Sequence, residues 1–266
     1  VVLDLLIEYP TSSFQQAMKL SEHELIAFVG GGGKTTALQF LAKELTTSKK
    51  KVTLTTTTKM LLKQLCFQGE YIISGNYLKI EETISSLTNS KKLIALGKEQ
   101  ISEEKIGGFP PEWIDKLWNL GKVDYLVVEA DGSRGKSLKA PAHHEPQIPL
   151  ESTLVVSVIG LDILNKRLTT EFVHRPELVS LICDAAPGSI ITTAIISKLV
   201  VHPFGLKKGV PSKARFIPLI NKIDTIRDWL VARSLALEIF RADSNIESII
   251  LSSFIQNSFS VVRRCN

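Results

Sequence analysis

Apolar and polar residues follow two rhythms along this chain. Short runs rich in aliphatic and β-branched residues recur at Leu25 to Val29, Lys51 to Thr57, Leu93 to Leu96, Val123 to Val128, Leu154 to Ile159, Phe216 to Ile220 and Ile249 to Leu251. They have strand length and are almost continuously apolar, as expected where a sheet is covered on both faces. Between them the period is helical: Leu38, Leu41, Ala42 and Leu45 stand at i, i+3, i+4 and i+7. The alternation predicts an α/β fold, a mostly parallel sheet flanked by helices. From Leu161 to Pro211 the strand rhythm fades, and Glu177 to Ala185 and Thr192 to Val200 read as helices. A helical insertion over 161–211, within one domain spanning 1–266, is the expectation. No repeat or Pro/Ser-rich linker divides the chain.

The first run ends in Gly30-Gly31-Gly32-Gly33, followed by Lys34-Thr35-Thr36 and the amphipathic helix. Glycines without Cβ let backbone N–H groups turn toward an anion. The helix N-terminus adds unpaired N–H groups and the positive end of its dipole. The spacing predicts a phosphate cradle of the P-loop NTPase type, with Lys34 on the β- and γ-phosphates and the Thr35 hydroxyl on Mg²⁺. Phe28 stands where the general G-x-x-x-x-G-K-[ST] pattern has its first glycine. The loop therefore resembles the shorter GGxGKTT form of P-loop proteins of the dimerising, metal-insertion and partitioning type, and the GTNGKTT loop of Mur-type ligases. Val29 replaces the second signature lysine of the partitioning ATPases.

The run Val123 to Val128 ends in Glu129 and Asp131, two residues apart and so on one side of an extended strand end. Both are candidate Mg²⁺ ligands, with Asp131 preferred for the metal and Glu129 for orienting water. Arg134, in the Gly132 to Lys136 stretch, is the internal candidate for neutralising transition-state charge. The predicted catalytic set is Lys34, Glu129, Asp131 and Arg134.

Phe216 to Ile220 runs into Asn221-Lys222-Ile223-Asp224, an NKxD sequence at a strand end. Its aspartate can accept two hydrogen bonds from guanine N1–H and N2–H₂, a donor pair adenine lacks. Ser252 and Ser253 follow the last run, where GTPases place a loop against the guanine edge. GTP is thus expected over ATP. The alternative is that Asn221 to Asp224 is a turn capping the helix at Ile226, Trp229 and Leu230.

GGGGKTT, the TLTTTTK stretch from Thr53 to Lys59, VEADGSRGKSLKAPAHHEP from Val128 to Pro146, His174-Arg175-Pro176-Glu177, HPFGLKKG from His202 to Gly209 and NKID together resemble the YqeC-like accessory proteins of selenium-dependent molybdenum hydroxylases. The resemblance implies a cytoplasmic P-loop protein that helps mature such an enzyme, with the hydroxylase or its cofactor machinery as partner. It singles out Thr56, Thr57, Lys59, Lys139, His144, Glu145, His174 and Arg175 as candidate switch or second-substrate residues. His143, His144 and Glu145 are candidates for a metal or an acidic cofactor, and His202 to Gly209 for a basic loop over the site.

Composition changes the picture little. Of 266 residues 44% are hydrophobic and 22% charged, ordinary for a globular chain. The net charge of +5 is scattered in groups such as Lys49-Lys50-Lys51, Lys91-Lys92 and Lys207-Lys208, which fits a small anionic ligand without calling for nucleic acid. Three well-separated cysteines imply thiols in a reducing compartment. Val1 to Asp4 lacks the basic segment of a secretory signal, and no apolar run is long enough to span a membrane. The expectation is a cytoplasmic, Mg²⁺-dependent nucleoside triphosphatase, with a small-molecule kinase or ligase and a nucleotide-switched adaptor as alternatives. A homodimer across the nucleotide is compatible with the loop type.

Overall fold

The computed structural model describes residues 6–67, 70–86 and 93–265. Ten strands form one sheet: β1 (Leu6–Thr11), β2 (Glu24–Gly30), β3 (Val52–Thr56), β4 (Tyr71–Ile73), β5 (Leu93–Gly97), β6 (Tyr125–Glu129), β7 (Leu154–Gly160), β8 (Arg215–Asn221), β9 (Ile249–Ser253) and β10 (Ser258–Arg264). Their spatial order is β1-β10-β9-β8-β7-β2-β6-β3-β5-β4. Every neighbouring pair is parallel except the two that involve β10. This is the α/β architecture the alternating rhythms predict. Strands β2, β6 and β7 lie in the middle and are buried throughout, which explains their unbroken apolar runs.

The main helices are α1 (Lys34–Thr47), α2 (Tyr77–Ser85), α3 (Pro111–Asn119), α4 (Pro176–Cys183), α5 (Thr193–Val201) and α6 (Ile226–Ala242). Helix α1 buries Leu38, Leu41, Ala42 and Leu45 against a cluster containing Phe28, Leu54 and Val127. Each buried aliphatic side chain contributes roughly 1.5–3 kcal/mol, enough to fix the helix start at the end of β2. The stretch 161–211 does carry two helices, α4 and α5. They share one core with α6, through Val179, Ile196, Leu199, Ala232 and Leu235.

Three strands were not visible in the apolar rhythm: β1, β4 and β10. The run at Ile249 is therefore not the last strand, because β10 returns antiparallel beside it. The expectations for Val1 to Asp4 and for Lys91-Lys92 fall outside the described residues.

The order of strands matters for function. The chain leaves β2 toward β3 on one side, returns to β6 beside β2, and then builds β7, β8 and β9 on the other side. The carboxyl ends of β2, β6, β8 and β9 thus share one edge, at the point where the order reverses, which is where parallel α/β sheets form ligand crevices.

Candidate functional site

The glycine loop is tightly enclosed. Gly30 N–H donates to both carboxylate oxygens of Asp131 (3.1 and 3.0 Å), Gly31 N–H to Val158 O (2.9 Å) and Gly32 N–H to Lys136 O (3.0 Å). A Cβ on Gly32, whose φ is +78°, would lie 2.0 Å from Gly160 N; one on Gly31 would lie 2.5 Å from Lys136 O. These glycines are therefore required first by backbone packing. Three of the amides expected to face phosphate are already paired inside the protein. The amides of Gly33, Lys34, Thr35 and Thr36 have no acceptor among the described residues, since the first helical bond runs from Ala37 N–H to Gly33 O. Gly33 and Thr35 are half-buried and Thr36 is exposed. The unpaired amides are thus confined to the N-terminus of α1, a shorter segment than the sequence suggested.

Lys34 is 3% exposed and folds back, donating to Gly30 O (2.6 Å) and pairing with Asp131 (3.1 Å). Asp131 also faces Lys139 at 3.0 Å, and Lys139 in turn meets Glu145 at 2.7 Å and Gly132 O at 2.8 Å. Glu145 then meets Arg175 at 2.5 Å. The chain of contacts is Lys34–Asp131–Lys139–Glu145–Arg175. Three cations against two carboxylates leave it one positive charge in excess. Burial alone would raise the Glu145 carboxyl, but hydrogen bonds from Arg175 and Lys139 outweigh it and hold the group at about 2.

Glu129 is placed differently. Its carboxylate accepts from the Thr35 hydroxyl at 2.8 Å, and burial raises its pKa against the lowering effect of Lys34 and Thr35. The sequence preference, Asp131 on the metal and Glu129 on water, does not match these contacts. Asp131 is saturated by one amide and two lysines, whereas Glu129 sits against the predicted metal-binding hydroxyl. The Glu129–Thr35 oxygen pair is the donor set a hard cation takes when phosphate oxygens complete its shell. Among the described residues no group of three or more His, Cys, Asp or Glu is placed to hold a metal ion by itself.

The Thr-rich strand end lies alongside. Thr56 Oγ1 donates to Glu129 O (2.9 Å), and Thr57 N–H donates to the same carbonyl (3.1 Å). Thr57 Oγ1 is buried without a hydrogen-bond partner. Lys59 is exposed.

At the other side of the glycine loop, Asn221 is buried and bridges two segments. Its amide donates to Gly32 O (2.8 Å), and its carbonyl oxygen accepts from Ser252 Oγ (3.1 Å). Asp224 is exposed and accepts from Ser253 Oγ (2.6 Å). Asp224, Ser252, Ser253, Trp229 and Gln256 line a cleft of about 320 Å³. Lys222, with φ +65°, reaches Ser137 Oγ and Asp162 Oδ2, both at 2.8 Å. The Asx-cap alternative fails, because α6 is capped by Thr225 in a reciprocal capping box with Asp228. Sequence reading missed Ser137 and Asp162. Asp162 had a visible signal, an acid just past the apolar run of β7.

A second cleft, about 500 Å³, is lined by Thr57, Lys59, Gly132, Arg134, His174 and Arg175 among others. Arg134 is exposed in this cleft; it makes no contact with Lys34 or Glu129. His144 reaches the cleft too, but Glu145 turns inward to Lys139, so His143, His144 and Glu145 do not converge on one ion. His174 is held down at about 4 by burial and by the charges of Arg175, Lys139 and Arg134. The His202 to Gly209 loop does not cover the site. Lys207 pairs with Asp243, and Lys208 donates to the carbonyls of Ala142 and His143. A further cleft, about 780 Å³, opens at the opposite edge of the sheet around Arg215 and Phe216; of the predicted site segments it includes only Pro203 and Lys207 of the His202 to Gly209 loop. Among the described residues no helix is long and apolar enough to cross a membrane.

Comparison with known proteins points one way. The model of the family described as YqeC protein matches residues 26–177. A protein of Escherichia coli (strain K12), described as uncharacterized protein YqeC, is 32% identical over 240 residues, covering 90% of this chain and 91% of its own.

Proposed function

We propose that this chain, which belongs to the YqeC family, binds a Mg²⁺-complexed nucleoside triphosphate at the N-terminus of α1, with GTP preferred over ATP, and hydrolyses it or passes on its terminal phosphoryl group. The observation that carries the reading is the Thr35 hydroxyl on the Glu129 carboxylate, directly beside four unpaired amides at a helix start. That arrangement suits a polyphosphate and its cation.

In this reading the amides of Gly33 to Thr36 receive the phosphates. Lys34 leaves Asp131 and Gly30 O to reach the β- and γ-oxygens. Thr35 and Glu129 are the residues that would hold Mg²⁺, which supplies charge neutralisation on the phosphates when bound. Asp131 keeps its structural place between Gly30 N–H and Lys139. Arg134 is not assigned to the γ-phosphate, because it lines the neighbouring cleft.

The base preference rests on the Ser253–Asp224 contact, which orients a carboxylate into the 320 Å³ cleft. Guanine offers that acid two donors and adenine none in the matching place. Asn221 ties the base side to the phosphate side through Gly32 O.

An accessory role in maturing a selenium-dependent molybdenum hydroxylase, in the cytoplasm, is part of this proposal and is supported by the family resemblance alone. The relative in Escherichia coli, being described as uncharacterized, adds no activity to it.

The test is a thermal-shift and calorimetric comparison of GTP, ATP and CTP with Mg²⁺, on the wild type and on Lys34→Ala. A ligand at 100 times its Kd stabilises the native state by about 2.7 kcal/mol, which is roughly 5–11 °C for a chain of this size. GTP is expected to give that shift and Lys34→Ala to lose it. Unchanged nucleotide affinity in Lys34→Ala would end the proposal.

A further inference from the structure

The 500 Å³ cleft is bounded by two small structures that project from the carboxyl edge of the sheet. One is the antiparallel group formed by Met60–Leu61, Lys105–Gly107 and Glu99–Gln100. The other is the parallel pair Leu138–Lys139 with Val173–His174, whose register sets Lys139 beside His174. Together they enclose a space of the size small-molecule sites have.

We propose that this cleft binds a small organic anion carrying a phosphate or carboxylate group, as a second ligand beside the nucleotide. The proposal rests on the nucleotide reading above and deepens it by giving the second ligand a chemical class.

Charge comes first. The lining carries Lys59, Arg134 and Arg175 against Glu99 and Glu145, and Glu145 is already engaged by Lys139 and Arg175. Lys139 itself is fully buried just behind the wall. Arg134 is exposed with no hydrogen-bond or ion-pair partner among the described residues, and its guanidinium matches a phosphate or carboxylate with two parallel N–H groups.

Backbone geometry comes second. Arg134 (φ +51°) and Arg175 (φ +63°) both occupy the left-handed region. That conformation is costly for side chains with Cβ and gathers at ligand clamps. Two such arginines line this one cleft, Arg175 held by Glu145 and Arg134 unpaired among the described residues.

Neutral hydrogen-bonding groups come third. His174 is uncharged at neutral pH and makes no side-chain hydrogen bond among the described residues. Thr57 Oγ1, in the opposite wall, is buried and unpartnered. The nucleotide side is connected to the cleft: Arg175 reaches Lys34 through Glu145, Lys139 and Asp131, and Thr57 N–H rests on Glu129 O.

The experiment is calorimetric titration of protein saturated with Mg²⁺ and a non-hydrolysable GTP analogue, so that the cradle is filled. The probes are glycerol 3-phosphate, citrate and inorganic phosphate, with glycerol as neutral control. Wild type is compared with Arg134→Gln and His174→Gln, both partly exposed positions that spare the buried pairs. Saturable binding of at least one anion, absent for glycerol and weakened tenfold or more by Arg134→Gln, is expected. The relative strength of glycerol 3-phosphate and citrate tells phosphate from carboxylate recognition. No saturable anion binding to protein that has bound the GTP analogue, or binding equally strong in both variants, overturns the proposal. Should the analogue itself not bind, the nucleotide reading is what fails. The same titration of nucleotide-free Lys34→Ala protein then decides the cleft: sensitivity to Arg134→Gln supports it, and insensitivity overturns it.

Discussion

Replacing Asp131 by asparagine separates two roles that the sequence could not. Asp131 lies 1% exposed between Lys34 and Lys139, which are 3% and 0% exposed, and it accepts from Gly30 N–H. The amide of Asp131→Asn would keep an oxygen for Gly30 but remove the charge shared by two buried ammonium groups. Removing one member of a buried ionic group costs about 3–5 kcal/mol. Here Lys139 retains Glu145 and Gly132 O, and Lys34 retains Gly30 O, so the lower end, about 3 kcal/mol, is expected. That corresponds to a melting temperature lower by about 6–12 °C, and to an earlier urea midpoint followed by tryptophan fluorescence. The same variant makes a second, opposite prediction. Lys34 no longer has to leave a carboxylate to meet phosphate, so affinity for the Mg²⁺–GTP analogue should be equal or tighter. Were Asp131 the metal ligand, affinity would fall instead. A variant within about 0.5 kcal/mol of wild-type stability would refute the buried-network reasoning. A collapse of Mg²⁺-dependent affinity that Glu129→Gln does not share would refute the assignment of the metal to Glu129.

Three further outcomes are expected. Asp224→Ala should cost GTP about 1.5–3 kcal/mol, the range for hydrogen bonds to a charged group, and leave ATP binding unchanged by calorimetry; an equal loss for both nucleotides would remove the guanine assignment. Gly32→Ala places a Cβ 2.0 Å from Gly160 N at φ +78° and should lower stability by about 2–5 kcal/mol from strain and overpacking combined, with or without nucleotide, whereas a tolerated alanine would contradict the packed loop. Wild-type stability should fall as pH drops from 6.5 toward 4, because the unfolded chain takes up a proton at His174 that the folded chain refuses until about 4. His174→Gln should flatten that part of the urea-midpoint curve by at most about 3 kcal/mol, less for solvent screening, and an unchanged curve would count against the environment described for this ring.

The sequence carried the sheet well because β2, β6, β7 and β8 are covered on both faces, which writes burial directly into apolar runs. Strands at the antiparallel end of the sheet, the edge strand β1 and its neighbour β10, leave no such trace. In β1, Pro10 reads as a strand breaker, yet an edge strand with a free side tolerates it. In β10, Ser258 to Arg264 alternates imperfectly, with Phe259, Val261 and Val262 buried, and the basic pair at its end masks the pattern. At the site, local grammar located Lys34, Thr35, Glu129, Asp131 and Asn221 at one edge. It did not distribute the partners. That Asp131 pairs with Lys34, or that Gly31 and Gly32 are pressed against residues 136–138 and 158–160, depends on packing between segments far apart in the chain. No spacing rule within one segment encodes such contacts.

The pairing of β1 with β10 has a consequence for how the protein is made. Thr11 bonds to Phe259, 248 residues away, and β1 has no other neighbour in the sheet. At roughly 5–20 residues per second of translation, the ribosome needs about 12–50 s to deliver the partner strand. Throughout that interval Leu6 to Thr11 trails the growing chain as a ribbon with both backbone edges bare. The rest of the sheet can condense around β2 meanwhile, so closure of the Leu6–Arg264 seam is expected to follow formation of the other strand pairs.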